Sequence, residues 1–330
     1  MKIALDCGAL CSDIQFGTRT FTENFIKAVS LYDKKNKYVG YSFCSCNYKY
    51  RNIKIQRLLS FSWMNLAIPI EQLFRPADYF YALNQAIPLY TKAKIISFSH
   101  GLSFYYYPKL YKNDFNYLSN QLYAMIKRSE IIIVSSIRVK KEFDEIFPKH
   151  PLIKVIPFGI PFDMPLLKLR QASVNKQKFF LFVGSNDPIK NVKFLVDMFL
   201  EFIKDKNYKD YKLYLVGEFE QYAKINQNIL SFPSLSRGEL KKLYQSATAY
   251  LTASFYESFN FPVLEALSQG CRVIGLESAI IPEMKEYVRI VNSKNEFKAQ
   301  MKIIEKNAYF NPTIFSWKTY IKHLATFQTS

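Results

Sequence analysis

The sequence of 330 residues has little cysteine and no long apolar run. Its five cysteines are odd in number and form no Cys-x2-Cys pairs, so we expect reduced core thiols rather than disulfides or a zinc site. A membrane-spanning helix needs about 18 or more consecutive apolar residues, and no such run is present. The N-terminal residues also lack the apolar core of a signal peptide. We therefore expect a cytoplasmic protein, with a peripheral position on the cytoplasmic face of the membrane left open.

Acidic residues are few relative to basic ones. The 45 lysines and arginines exceed the 27 aspartates and glutamates, which gives a formal net charge of +18. Residues 1–165 contain 22 basic and 12 acidic residues, a net of +10, so the excess is not confined to a tail. Such a field attracts anions, including nucleotide diphosphates and anionic membranes. Because no recognisable nucleic-acid module is present, nucleic acid is not expected as a partner.

Length and composition predict two globular domains. Hydrophobic residues make up 49% and charged residues 22% of the chain, which is ordinary globular usage. Short apolar runs alternate with helical patterns, and this predicts an α/β fold with doubly wound parallel sheets. Prolines and a polar tract interrupt both periodicities between residues 157 and 176. We predict domains over residues 1–165 and 166–310 and a closing C-terminal helix over residues 311–330.

Residues 253–270 predict a strand, a loop and a helix that together carry two glutamates. Pro262 suits a first helical position and Gly270 suits the position after a helix end, so the helix is predicted between them. Glu257 then lies in the loop and Glu265 in the first helical turn. Ligands of parallel sheets bind where strands end and helices begin, so both carboxylates are expected to face one crevice. The helix dipole alone also favours an acid at Glu265, and a purely structural role for it stays open.

A second segment, residues 179–191, predicts a strand, a turn and an amphipathic helix. The turn directs backbone N–H groups and Lys190 toward the ligand edge of the sheet, an arrangement that suits a diphosphate. Lysine is abundant in this chain and is mostly exposed in proteins, so an ordinary surface role for Lys190 stays open. Gly217 follows the next predicted strand and permits close approach of a nucleotide.

These segments resemble a known family. Residues 253–270 resemble the Glu-x7-Glu signature of family 4 glycosyltransferases, also called glycosyl transferases group 1. Residues 179–191 are similar to the Val-Gly-x-x-x-Pro-x-Lys-Asn segment that opens the donor domain of that family. Four positions depart from the family pattern. Ser258 and Asn260 replace glycines, Ser185 stands where many members have arginine, and Gly101 replaces an aspartate.

The N-terminal half carries weaker similarities. Gly17 and Thr18 look like part of the glycine-containing loop before the first helix of the family's acceptor domain. Residues 95–104 are similar to a family strand that ends in His-Asp-Leu-x-Phe, with His100 at the histidine. In relatives this histidine reaches the transferred sugar. A lone histidine is also often structural, and both roles stay open for His100.

The resemblance implies the GT-B fold, in which two Rossmann-like domains face a cleft and the C-terminal helix packs back toward the N-terminal domain. It implies a retaining glycosyltransferase that moves a hexose from a UDP- or GDP-sugar to a glycan or polyprenyl-linked saccharide. Bacterial surface polysaccharide synthesis, including that of lipopolysaccharide, is the implied setting. Because the sequence has no Asp-x-Asp pair to hold a divalent cation, neither a metal nor another cofactor is expected.

The resemblance also implies roles for individual residues. His100 and Glu257 are the catalytic candidates, Glu257 also holds the sugar, and Glu265 holds the ribose hydroxyls. The other donor-binding candidates are Gly184, Ser185, Lys190, Gly217, Ser258, Phe259, Asn260 and Phe261. One alternative is a glycosidase that uses the two glutamates as acid and nucleophile. Another is an inactive GT-B homologue that binds a nucleotide sugar or a partner.

Two stretches of the N-terminal half bear on membrane contact. Lysines and tyrosines are interleaved around residues 32–57, which makes this stretch a candidate surface for an anionic membrane whose lipid carries the acceptor sugar. A solvated, lysine-rich face is the alternative. Residues 58–74 are the most apolar stretch, but Asn65, Pro69 and Glu71 argue against a membrane span. We predict a packed helix there.

Overall fold

The computed structural model divides into two compact units. Unit 1 comprises Met1–Gly159 and Ile314–Ser330, and unit 2 comprises Ile160–Thr313. The first boundary thus lies after residue 159, against the predicted 165. Residues 168–175, which contain most of the polar tract that we predicted as a linker, lie outside the described residues. The structure describes residues 1–12, 17–46, 48, 50–148, 152–167, 176–303 and 310–328.

Unit 1 is built on a parallel sheet with seven strands in its described part. The strands are β1 (Lys2–Asp6), β2 (Lys37–Ser42), β3 (Ile53–Arg57), β4 (Tyr79–Ala82), β5 (Lys94–Ser99), β6 (Ile131–Val134) and β7 (Ile153–Val155). Their order across the sheet is β3-β2-β1-β4-β5-β6-β7. All residues of β4 and β6 are buried, as expected for parallel strands that are covered on both faces.

Helices cover the sheet of unit 1. They are α1 (Gly17–Tyr32), α2 (Ile68–Phe74), α3 (Ser103–Tyr106), α4 (Phe115–Arg128), α5 (Ile137–Ile146) and α11 (Trp317–Thr326). The C-terminal helix α11 packs against α1, because the rings of Trp317 and Tyr320 contact that of Phe21. A Cβ on Gly159 would collide with the Trp317 ring, which explains the glycine there. The end of the chain is therefore part of unit 1.

Unit 2 contains a second parallel sheet, with six strands among the described residues. They are β8 (Gln177–Val183), β9 (Lys212–Val216), β10 (Ile229–Phe232), β11 (Ala247–Thr252), β12 (Val273–Leu276) and β13 (Arg289–Val291). The order is β10-β9-β8-β11-β12-β13, so the direction of winding reverses between β8 and β11. Ligands of doubly wound sheets bind at such a reversal, at the carboxyl ends of the strands.

The helices of unit 2 are α6 (Val192–Ile203), α7 (Glu220–Ala223), α8 (Arg237–Ser246), α9 (Phe261–Ser268) and α10 (Lys294–Lys302). The amphipathic helix α6 buries Leu195, Phe199 and Phe202 against the sheet, in one core with Phe180 of β8. The spacing of these apolar residues is the one that predicted the helix. Both units thus confirm the predicted α/β fold with doubly wound parallel sheets.

The prediction of five reduced core thiols is wrong for two of the cysteines. Cys11 and Cys44 form a disulfide, with Cα atoms 5.4 Å apart. Because β1 and β2 are parallel neighbours, the residues that follow them meet at one edge of the sheet, a proximity that sequence spacing does not reveal. Cys46 is a half-buried free thiol, whereas Cys7 and Cys271 are buried thiols whose pKa is raised by burial.

The prediction of a packed helix over residues 58–74 is also wrong in part. A π-helical turn (Trp63–Ala67) leads directly into α2. Ile68 and Gln72 are buried, but Ile70, Leu73 and Phe74 are more than half exposed. Hydrophobicity predicted burial, yet only one face of this short helix has protein to pack against.

Candidate active site

Two glycines end neighbouring strands of unit 2. Gly184 follows β8, and its amide donates a hydrogen bond to the carbonyl of Val216 at 3.1 Å. Gly217 follows β9 with a φ of +135°, and a Cβ there would collide with the carbonyl oxygen of Gly184. Glycine is needed because the two strand ends approach each other so closely. Contact of either glycine with a nucleotide stays a prediction.

The turn after β8 is tied to the loop after β11. It contains a short 3-10 helix (Pro188–Lys190), followed by Asn191 with a left-handed φ of +51°. The side-chain amide of Asn191 donates to the carbonyl of Ala253 at 3.2 Å. The amide of Phe255 donates to the carbonyl of Ile189 at 2.8 Å. These bonds cross the reversal of the sheet and hold Lys190 beside the second loop.

Lys190 and Glu257 form an ion pair at this reversal. The Lys190 Nζ lies 2.8 Å from Oε1 of Glu257, and the hydroxyl of Ser254 donates to the same oxygen at 2.7 Å. The side chains of Lys190 and Glu257 are 27% and 10% exposed. Partial burial strengthens such a pair relative to one in bulk water. The structure therefore brings together the lysine and the loop glutamate that the sequence placed in separate segments.

Glu265 lies deeper in its helix than predicted. Helix α9 begins at Phe261 because Asn260 is its N-cap, and its first turn contains no acid. Glu265 is only 3% exposed. Its Oε1 accepts a hydrogen bond from Nη2 of Arg237 at 2.6 Å, and its Oε2 accepts one from the hydroxyl of Tyr244 at 3.1 Å. The helix dipole therefore does not explain this buried acid, whereas a guanidinium and a phenol compensate its charge.

Arg237 links Glu265 to a second carboxylate. Its Nε and Nη2 donate to the two oxygens of Asp163 at 2.8 and 3.0 Å, a bidentate geometry that arginine supports and lysine does not. Burial would lower the pKa of Arg237, but the charge of Glu265 and the hydrogen bonds of both acids raise it overall. Burial raises the pKa of Glu265, and Arg237 opposes that effect. Arg237 thus favours the ionised form of Glu265.

Tyr250 of β11 lies close enough to Glu257 and Glu265 for both charges to affect the pKa of its phenol. Burial, followed by the charges of Glu257 and Glu265, raises the pKa of its phenol. The Tyr250 hydroxyl donates to the carbonyl of Val183, the last residue of β8, at 3.3 Å. The two carboxylates are therefore grouped around one tyrosine at the reversal between β8 and β11.

The loop residues between the glutamates have different exposures. Phe259 and Phe261 are 2% and 7% exposed, and their rings pack edge to face with centroids 5.2 Å apart. Their side chains belong to the core, so only their backbone could contact a nucleotide sugar. Ser258 and the distant Ser185 are both half-buried, and their proposed contacts stay predictions.

Asn260 adopts the backbone conformation that the family glycine would favour. Its φ is +71°, and its side-chain oxygen accepts a hydrogen bond from the amide of Val263 at 3.4 Å. Its side-chain amide donates to the carbonyl of Ala279 at 3.1 Å. Asparagine tolerates left-handed backbone better than most residues. These two bonds hold Asn260 in the left-handed conformation at the start of α9.

Substitution of Asn260 tests this explanation. Asn260→Ala is expected to lower the free energy of unfolding by about 1–3 kcal/mol, because alanine resists positive φ and the cap is lost. Asn260→Gly loses the same bonds but relieves the backbone, so its loss is expected to be smaller. Urea unfolding of both variants measures the difference. Equal losses would show that backbone strain contributes nothing at this position.

His100 follows β5 in unit 1 and is held by structural contacts. Its Nε2 lies 2.7 Å from the carbonyl oxygen of Leu83, and its ring meets that of Phe21 edge to face at 5.2 Å. Burial lowers its pKa, so the ring is neutral at pH 7 and Nε2 donates to the carbonyl. Gly101 has a φ of +101°, which explains why aspartate is absent there. Contact of His100 with a sugar stays a prediction.

The two acceptor-side residues are not in a loop. Gly17 and Thr18 form the first turn of α1, and the carbonyl of Thr18 accepts a hydrogen bond from the hydroxyl of Thr22 at 2.9 Å. The helix starts earlier than predicted because Thr20 and Phe21, both buried, already lie on its core face. The residues before it, 13–16, lie outside the described residues.

Sequence reasoning missed the residues that support Glu265. Arg237, Tyr244 and Asp163 lie in segments that carry no ligand motif. One signal was available, since Arg237 is the only arginine between residues 177 and 270 in a chain rich in lysine. Arginine is favoured where a carboxylate needs a planar, two-pronged partner.

The described residues contain neither a cluster of metal ligands nor a membrane-spanning helix. In that part of the chain, no group of three or more histidine, cysteine, aspartate or glutamate side chains could hold a metal ion. Metal independence stays a prediction. Over the same ranges, no helix is long and apolar enough to cross a bilayer.

Comparison with known proteins finds a family model that matches most of unit 2. Residues 177–306 match the family model described as glycosyl transferases group 1. O-antigen chain mannosyltransferase B of Escherichia coli is 23% identical over 67% of this chain. The match spans 63% of that relative, so the activity of the whole relative does not transfer directly.

Solved structures match nearly the whole chain. WaaG, a glycosyltransferase involved in lipopolysaccharide biosynthesis, has a TM-score of 0.72 at 14% identity, covering 99% of this chain and 96% of WaaG. Anabaena Alr3699/HepE, solved in complex with UDP and glucose, has a TM-score of 0.68 at 14% identity, covering 100% of this chain and 99% of HepE. At such identities the likeness establishes the fold. The chain therefore has the GT-B fold, and residues 177–306 of its C-terminal unit are similar to the glycosyl transferases group 1.

Proposed function

We propose that this protein is a retaining glycosyltransferase that moves a hexose from a UDP- or GDP-sugar to a glycan or lipid-linked saccharide. The observation that carries the proposal is the Lys190 and Glu257 pair, 2.8 Å apart at the sheet reversal of unit 2. Such a reversal is where doubly wound sheets bind ligands. The pair offers a cation for a diphosphate and an acceptor for sugar hydroxyls within one small volume.

Glu265 is suited to a ribose. One of its oxygens accepts from Arg237 and the other from Tyr244, and each carboxylate oxygen has a second lone pair. The two neighbouring hydroxyls of a ribose match the two adjacent carboxylate oxygens of Glu265. Arg237 favours the ionised form of Glu265, in which both oxygens accept hydrogen bonds.

The comparisons favour this substrate class. HepE was solved with UDP and glucose, WaaG is involved in lipopolysaccharide biosynthesis, and the Escherichia coli relative is O-antigen chain mannosyltransferase B. We infer a role in bacterial surface polysaccharide synthesis, at a cytoplasmic and peripheral membrane location. The acceptor would then be a saccharide that a membrane lipid carries.

The chemistry requires charge stabilisation on the leaving diphosphate and orientation of an oxocarbenium-like sugar. Lys190 would stabilise the leaving group, and release of Glu257 from Lys190 would let that carboxylate hold the sugar. Neither step assigned to these residues needs a metal ion, and we propose that transfer is metal-independent. The role of His100 at the transferred sugar is part of the proposal and rests on the family resemblance alone.

Incubation with labelled UDP- and GDP-sugars and an extracted lipid-linked acceptor tests the proposal. Labelled saccharide in the lipid fraction, formed in the presence of EDTA and lost in Glu257→Ala, is the expected result. NMR of the product reports whether the anomeric configuration is retained. Binding of nucleotide sugar without product under any acceptor would indicate an inactive homologue. Cleavage of a glycoside without nucleotide would indicate a glycosidase.

A further inference from the structure

The helical segment of residues 63–74 has one face anchored in unit 1. Ile68 is fully buried and Gln72 is 2% exposed, and Met64, one turn earlier, packs against the same core. The side-chain amide of Gln72 donates to the hydroxyl of Tyr41 at 2.7 Å. These residues are spaced by four, so they form the inner stripe of the helix. The position of the segment on unit 1 is thereby fixed.

The opposite face is apolar and exposed. Leu66, Ile70, Leu73 and Phe74 are 47%, 54%, 57% and 77% exposed, at the i, i+4, i+7, i+8 spacing of a single stripe. Leu59 and Phe61, just before the helix, are 79% and 80% exposed. We call these six residues the apolar face. In a helix that only faces water, this stripe would be polar, so the apolar face requires another explanation.

A neighbouring loop extends the apolar face. The amide of Leu89 donates a hydrogen bond to the carbonyl of Met64 at 2.9 Å, which places residue 89 beside the helix. Leu89 is 65% exposed and Tyr90 is 48% exposed. A tyrosine beside aliphatic side chains is typical of a surface that contacts the boundary between lipid and water.

Basic residues lie close in sequence to the apolar face. Lys54 and Arg57 are exposed on β3, and the side chain of Arg75, directly after α2, is 66% exposed. The acid on the helix, Glu71, is paired with Arg75 at 3.2 Å and its side chain is only 16% exposed. Residues 50–75, which include the apolar helix, contain four basic residues and one acidic residue, so this segment carries a net positive charge. A second copy of the chain would bring these cations against each other, whereas an anionic surface would neutralise them.

We propose that the apolar face docks on a bilayer that contains anionic phospholipid, with the helix in the plane of the headgroups. Twelve helical residues span about 18 Å, against about 30 Å for the hydrocarbon core, so the segment lies on the membrane rather than across it. The apolar side chains enter the headgroup boundary, and the basic residues close in sequence bind lipid phosphates. The inference rests on the peripheral location proposed above but on no residue of the candidate active site.

Co-sedimentation with vesicles tests the proposal. The full-length protein is expected to sediment with phosphatidylcholine vesicles that contain phosphatidylglycerol, and less with pure phosphatidylcholine. The double variant Leu73→Ser/Phe74→Ser is expected to lower the partition coefficient at least about tenfold. Lys54→Gln/Arg57→Gln is expected to lower it about tenfold on anionic vesicles only. Circular dichroism and thermal unfolding verify that each variant is folded.

Matched controls come from exposed apolar residues elsewhere. Tyr117 and Ile225 are 64% and 55% exposed, so Tyr117→Ser and Ile225→Ser should leave vesicle binding unchanged. The proposal is overturned if the wild type ignores anionic vesicles, or if Leu73→Ser/Phe74→Ser binds them equally well. It is also overturned if the wild type is a dimer in analytical ultracentrifugation and Leu73→Ser/Phe74→Ser is a monomer. The apolar face would then bind a second copy of the chain. Binding of UDP- and GDP-sugars, measured by thermal shift, reports on the donor site separately.

Discussion

Replacement of Lys190 by methionine is expected to lower kcat/KM for the nucleotide sugar at least about 100-fold. Removal of one preorganised donor from a site that stabilises a developing anion typically has an effect of about 100- to 1,000-fold on kcat. The Lys190 Nζ is the group held at the sheet reversal, 2.8 Å from Glu257. The loss should fall mainly on kcat, because negative charge builds on the diphosphate as the sugar leaves. Steady-state kinetics with the donor varied measure it.

Lys193 provides the matched control for Lys190. It lies one turn further along the chain, its side chain is 74% exposed and it is paired with Asp197 at 2.7 Å. Lys193→Met should therefore leave the kinetics unchanged while removing the same charge three residues away. If both lysine variants lose activity alike, the general positive field of the unit, rather than a specific contact, binds the donor.

Replacement of Arg237 by methionine is expected to lower the free energy of unfolding by about 3 kcal/mol at neutral pH. The side chain of Glu265 is 4% exposed, and removal of its cation leaves a buried charge with only the phenol of Tyr244. Loss of one partner from a buried ion pair typically costs about 3–5 kcal/mol. The side chain of Asp163 is 45% exposed and can be solvated by water. The expected loss of unfolding free energy therefore lies at the lower end of this range. Urea unfolding measures the change.

The deficit of Arg237→Met should also depend on pH. Burial raises the pKa of Glu265, and loss of Arg237 removes the main opposing effect, so the folded pKa rises further. The folded variant then binds a proton that the unfolded chain has released, and stability falls as pH rises from the unfolded pKa through the folded one. Unfolding should therefore show a smaller deficit near pH 5 than near pH 8.

Glu265→Gln in the same background provides the control. Arg237→Met/Glu265→Gln carries no buried charge at this position, so it should recover part of the lost stability and lose the pH dependence. Lys242→Met removes an exposed cation from the same helix and should change neither. A deficit in Arg237→Met that stays constant from pH 5 to pH 8 would contradict the assignment of Glu265 as the titrating group.

Local signals in the sequence predicted much of unit 2. Pro262 and Gly270 located α9 to within one residue, because they act through their own backbone preferences. The apolar spacing after residue 191 located α6 for the same reason. Lys190 and Glu257 could be assigned to one ligand edge because each lies in the segment that follows a strand of a parallel sheet. Their direct pairing needed the strand order, which places β8 next to β11.

Features that depend on distant segments escaped prediction. Arg237, Asp163 and Glu265 come from three separate segments, and only packing makes them one cluster. The disulfide between Cys11 and Cys44 depends on the pairing of β1 with β2. Neither is encoded in spacing along the chain, because a folded contact depends on the three-dimensional path between two residues.

The sequence by itself determined the order of strands and helices, the family signature and the excess of positive charge, since each depends on neighbouring residues or on composition. Only the tertiary structure decided which cation compensates Glu265 and which face of residues 63–74 stays exposed. Hydrophobic periodicity states that a face is apolar, but whether protein covers it depends on segments far along the chain. The same reason explains why a stretch predicted as core became the candidate membrane surface.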